Sequence, residues 1–107
     1  MFRNFVKKDM PILYEYFGII IKFYSNEHEP IHVHAIYDNS EIKVSFFLNE
    51  GVIYETTYTA VYGKFPKAKI KVLKNFISKY ETDIINAWTD YFVLKKSIKK
   101  QTITKKL

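Results

Sequence analysis

All three histidines of this chain fall within seven positions, in the segment Ser25-Asn26-Glu27-His28-Glu29-Pro30-Ile31-His32-Val33-His34, and the chain has no cysteine. Imidazole is the side chain that titrates near neutral pH and the commonest metal ligand, so both capacities are concentrated in one short stretch. His32 and His34 are two residues apart, which on a strand puts both rings on one face. Such a pair can be presented to a single metal ion such as zinc. His28, just upstream, could add a third ligand, and three histidines plus water would make an open, catalytic type of site. Glu27 and Glu29 are nearby carboxylates able to act as ligand, as partner to a ligating imidazole, or as general base. Without a metal, a histidine pair could serve as acid and base on RNA. The plainer alternative is structural, with Asn26 and the imidazoles capping backbone groups around Pro30.

The elements that must position this cluster can be read from periodicity. Residues 12–24 are almost continuously apolar and aromatic and read as extended chain, with Gly18 marking a bend or tight connection. Residues 25–31 carry loop punctuation: Ser, Asn, two Glu and a Pro. Residues 32–37 and 41–48 read as strands joined at Asp38-Asn39-Ser40. Residues 52–62, rich in Val, Ile, Thr and Tyr, read as another. Gly63 and Pro66 end the β region. From there Ile70, Leu73, Ile77, Tyr80, Ile84, Trp88 and Tyr91 recur at the helical spacing, with Ser78 and Glu81 allowing a fresh start partway. The predicted fold is α+β: an antiparallel β-meander of about four strands, followed by one long or two consecutive C-terminal helices packed on one face. One domain over residues 10–94 accounts for the length, with an N-terminal extension at 1–9 and a lysine-rich tail at 95–107.

Strand register predicts where the imidazoles point. An even loop between the two central strands puts Val33, Ala35 and Tyr37 on the face of Ile42, Val44 and Phe46, a uniformly apolar surface. His32 and His34 then share the opposite face with Glu41, Lys43 and Ser45. A one-residue slip would mix the two sets, so the even loop is preferred. His32 and His34 are therefore expected to face away from the main core, on a polar and accessible surface.

The formal charge of +6 is unevenly spread. Six of the 17 basic residues (Lys95, Lys96, Lys99, Lys100, Lys105 and Lys106) lie in the tail, which has no acid, so the rest of the chain balances 11 bases against 11 acids. The basic balance thus belongs to the tail and not to the fold. Such a tail can contact nucleic acid non-specifically, or simply stay solvated. The absence of cysteine excludes disulfides and thiolate metal sites and fits a cytoplasmic location. No apolar run approaches the roughly 20 residues that span a bilayer, so no membrane partner is expected.

Met10-Pro11, the strand through Gly18-Ile19-Ile20, the Asn-x-His-x-Pro-x-His-x-His pattern from Asn26 to His34, Gly63-x-x-Pro66 and Trp88 occur here together. In these features the chain resembles the bacterial domain of unknown function 4160 family over roughly residues 10–92. It departs in having Ile31 where a second proline is usual, and in a longer segment from Val52 to Gly63. The resemblance implies no established activity. It implies a short cytosolic protein with a small protein partner, in a two-gene, toxin–antitoxin-like module, with Asn26, His28, Pro30, His32 and His34 as motif residues. The expected function is accordingly that of an interaction component. The alternative is a metal-dependent or histidine acid–base hydrolase or ribonuclease built on His28, His32 and His34, with Glu27 or Glu29 as base.

Overall fold

The computed structural model describes residues 11–24 and 30–107. The chain runs β1 (Ile12–Tyr16), β2 (Ile19–Lys22), β3 (Ile31–Tyr37), β4 (Ser40–Asn49), β5 (Val52–Tyr62), α1 (Lys67–Trp88), a π-helical turn (Thr89–Val93) and β6 (Gln101–Ile103). The strands form one sheet in the order β5-β4-β3-β2-β1-β6. All neighbours are antiparallel except β1 and β6, which run parallel. The α+β class holds, but the sheet has six strands, not about four.

Both extra strands come from places where sequence signals are weak. Residues 12–24 fold back on themselves as the β1–β2 hairpin, through a two-residue turn at Phe17 and Gly18 with φ of +45° and +86°. Positive φ at both positions is the pattern of a type I′ turn, which matches strand twist but normally selects Asn, Asp or Gly at the first position. Phenylalanine there is strained. The sixth strand is drawn from the lysine tail, where Gln101, Thr102 and Ile103 pair with Tyr14, Glu15 and Tyr16. Lys100 Nζ also reaches Glu15 Oε1 at 3.2 Å and Lys96 Nζ lies 3.9 Å from Asp90 Oδ1, so the tail is docked on the body.

The helical region is one helix and not two. Pro66 precedes it with an extended ψ of 139°, and α1 continues unbroken through Ser78 and Glu81 to Trp88. At its end Thr89 Oγ1 donates to the Ile85 carbonyl and Leu94 N bonds to Thr89 O, the wider i→i+5 closure of a π turn. Leu73, Phe76, Ile77, Ile84 and Trp88 form its buried stripe. They pack on the sheet face made by Tyr14, Tyr16, Ile21, Phe23, Val33, Ala35, Val44 and Phe46. Rings dominate the contact: Phe76 lies 5.2 Å from Tyr14, 4.8 Å from Tyr16 and 4.6 Å from Tyr80. Burial of each such side chain, aromatic or aliphatic, contributes about 1.5–3 kcal/mol, so this helix–sheet layer supplies the driving force for folding. Burial among these groups also raises the Tyr14 hydroxyl pKa to about 12, with Asp83 adding to the effect. The indole Nε1 of Trp88 is buried without a hydrogen-bond partner.

Candidate functional site

The β3–β4 hairpin has the predicted even loop: Tyr37 pairs with Ser40, leaving Asp38 and Asn39 as the turn. Val33 faces Val44 and Ala35 faces Ile42, all on the helix side, while His32 faces Ser45 and His34 faces Lys43 on the other. The β2–β3 register sets Lys22 beside His34. Tyr24 lies two residues beyond Lys22, and its ring comes to rest on this same polar face.

The expected accessibility does not hold. His32 and His34 are 7% and 3% exposed, and Glu41 is only 2% exposed. The reason is a side-chain assembly that closes over the sheet. Tyr24 lays its ring on His34 with centroids 3.9 Å apart and planes 19° from parallel. Its hydroxyl donates to Glu41 Oε1 at 2.9 Å. The other carboxylate oxygen, Oε2, lies 2.6 Å from His34 Nδ1. His32 sits edge-on to His34, 5.2 Å between centroids, with its Nδ1 2.7 Å from the Pro30 carbonyl oxygen.

These contacts define the proton positions. A carbonyl oxygen can only accept, so His32 Nδ1 carries the proton and donates to Pro30. With Glu41 accepting from both Tyr24 and His34, the same tautomer holds at His34. In the neutral form of each ring this tautomer puts the electron pair on Nε2, the atom that would accept a proton or bind a metal. A buried carboxylate on Nδ1 fixes the orientation and tautomer of an imidazole, the relation found in acid–base and zinc sites alike. The same set also serves as a structural tie: Glu41 joins the segment after β2 to β3 and β4 through two charge-assisted hydrogen bonds.

Asn26, Glu27, His28 and Glu29 lie outside the described residues. Among the described residues no group of three or more His, Cys, Asp or Glu side chains is placed to hold a metal ion. The structure therefore brings His32 and His34 together and adds two residues that the motif alone did not identify. Strand register places Glu41 on the histidine face but does not predict its contact with His34. In sequence Tyr24 is only the end of an apolar run. The alternation Ile20, Lys22, Tyr24 would have located it, once β2 was recognised as the neighbour of β3.

A family model described as "Domain of unknown function (DUF4160)" matches residues 18–89, from the β1–β2 turn to just past the end of α1. The chain belongs to that family. The DUF4160 match spans the whole tie, from Tyr24 to Glu41, together with Gly63 and Trp88, whereas β1 and β6 fall outside it. No curated protein and no solved structure matches the chain. Among the described residues no helix is long and apolar enough to cross a membrane.

Proposed function

We propose that this DUF4160 chain is the interaction component of a bacterial, cytoplasmic two-gene module of the toxin–antitoxin-like kind, acting by contact with a small protein partner. The outer edge of β5 carries this reading. Eleven residues long, β5 ends the sheet order, and among the described residues no strand pairs with its outer edge. Val52, Tyr54, Val61 and Tyr62 are all exposed along it, Val52 and Tyr54 by about two-thirds. Native edge strands are usually blunted by charge, proline, shortness or bulges; β5 is long and has no lysine or proline, and its register against β4 shifts at Tyr54 and Val61. An exposed, aromatic-bearing edge suits addition of a partner's strand, with main-chain hydrogen bonds giving affinity and Tyr54 giving specificity. The lysines of the tail, Lys105 and Lys106 among them, would add non-specific polyanion contact.

Mixing the chain with the product of its neighbouring reading frame should give a defined complex on size exclusion. Tyr54→Lys and Val61→Lys should each weaken it about tenfold or more, the effect of losing an interface anchor, with little change in melting temperature. A complex indifferent to both substitutions, or no complex at all, rules the edge out.

A second reading is favoured by the Glu41–His34 contact: a hydrolase or ribonuclease using His32 and His34 through Nε2, with or without a metal. Two imidazoles bound to one tetrahedral zinc ion would have centroids about 5 Å apart for Zn–N bonds of about 2.1 Å, compatible with the spacing of His32 and His34. His28, Glu27 and Glu29 belong to the same proposal. Calorimetric titration with zinc chloride should show one bound equivalent that His34→Ala removes. RNA cleavage lost in both His32→Ala and His34→Ala would support the metal-free form. Absence of both zinc uptake and cleavage rejects this reading.

A further inference from the structure

A cavity of about 340 Å³ lies far from the histidines in sequence, between the β1–β2 turn, the first half of α1 and the end of the tail. Tyr16, Phe17, Ala68, Val72 and Leu107 supply apolar wall, and Lys69, Lys71 and Lys106 are its basic lining residues. Asn75 is the remaining polar residue, and no Asp or Glu side chain lines it. The volume lies within the range of small-ligand pockets, which are mostly apolar with a few polar groups that set orientation.

Three features make this more than a crease between elements. Phe17 holds an unfavourable positive φ, yet its ring is 48% exposed and serves the wall more than the core. Strain retained at a residue that contributes so little to packing points to a use for its position. Lys69 is fixed at the lip: its Nζ donates to the Phe17 carbonyl at 3.0 Å and stands 5.0 Å from the Tyr37 ring centroid. Its charge is thereby held in place before any ligand arrives. The neighbouring first turn of α1 has no acidic residue and no side-chain cap, so the positive end of a 22-residue helix adds to the lysines instead of being neutralised by the chain.

We propose that this cavity binds a small amphipathic carboxylate. Its alkyl or aryl body would lie against Phe17, Ala68, Val72 and Leu107, and its carboxylate would lie toward Lys71 and Lys106. Charge complementarity favours an anion, because three basic residues and no Asp or Glu line the wall. The predominance of apolar side chains selects a ligand whose remainder is hydrocarbon, over a sugar or a bare inorganic ion. The proposal is independent of the β5 edge and of the histidine tie.

Octanoate and octan-1-ol differ only in the charged group and provide the test. Calorimetric titration of the full chain at low salt should show octanoate binding with a Kd of about 1 mM or below, as expected for a ligand of this size, and octanol at least tenfold more weakly. Lys71→Glu and Lys106→Glu, both at exposed positions, should each weaken octanoate about fivefold or more through charge reversal while leaving the melting temperature unchanged. Added salt should weaken octanoate and leave octanol unaffected. Equal affinity for acid and alcohol, octanoate binding unchanged by both charge reversals, or no saturation with octanoate would overturn the proposal. Tighter binding of adenosine monophosphate than of octanoate would overturn it in favour of a nucleotide.

Discussion

Glu41→Ala is expected to cost the fold about 2–5 kcal/mol, because it leaves two buried donors unsatisfied at about 1–3 kcal/mol each. The side chain is 2% exposed and accepts from two donors at once, the Tyr24 hydroxyl at 2.9 Å and His34 Nδ1 at 2.6 Å. Alanine leaves the buried His34 without its Nδ1 acceptor and Tyr24 without its hydroxyl partner, while opening a void beneath the stacked rings. A domain of this kind has about 5–15 kcal/mol in all, so much of its stability is at stake. Urea unfolding of wild type and variant measures the loss directly. Glu41→Gln keeps the shape and one acceptor and should fall between the two. The double variant Glu41→Leu with His34→Leu should cost clearly less than the two single changes together, because it removes both ends of the contact. A loss below about 1 kcal/mol for Glu41→Ala would place the tie among the weak surface pairs and refute its structural role.

Gly63→Ala is expected to destabilise by about 3 kcal/mol, the upper end of the cost of strained backbone. Gly63 has φ of +68°, and a Cβ there would stand 2.2 Å from the Asn39 carbonyl oxygen and 2.8 Å from Ser40 Cα. Both obstacles are backbone atoms of the β3–β4 turn, so no side chain can rotate aside. Either the exit from β5 shifts or the hairpin carrying His34 and Glu41 does. Gly51→Ala is the matched control. Its φ is +81°, but a Cβ there would meet nothing within 4 Å, so only conformational strain of about 1 kcal/mol remains. Thermal melts of the two variants should differ by several degrees, with Gly63→Ala the lower; equal melting temperatures would refute the close approach.

Gly63 also illustrates what the sequence made legible. Its pairing with Pro66 marked the end of the β region, but the need for glycine came from residues more than twenty positions upstream. The β3–β4 register was legible because only one pairing gives Val33, Ala35, Val44 and Phe46 a coherent apolar face. The course of α1 was legible because six large side chains, from Ile70 to Trp88, keep its period. The β1–β2 hairpin was hidden because Phe17-Gly18 is an uncommon turn pair and its flanks do not alternate. The last strand was hidden because three residues between lysines carry no pattern of their own. Burial of the histidines was hidden for a different reason. Which face they occupy is a local matter, whereas their accessibility depends on Tyr24 arriving from the chain just past the end of β2.

The parallel pairing of β1 with β6 sets the order in which the molecule can be completed. Tyr14 and Gln101 are neighbours in the sheet but lie about 87 positions apart in the chain, and cellular synthesis at about 5–20 residues per second separates their appearance by about 4–17 s. For that interval β1 presents an unpaired strand edge, while β2 to β5 can already have formed their local hairpins. Long-range closure of this kind is slow compared with hairpin formation. The nascent chain thus passes through a stage with open edges at both ends of its sheet, and among the described residues only the β1 end is closed by the chain itself.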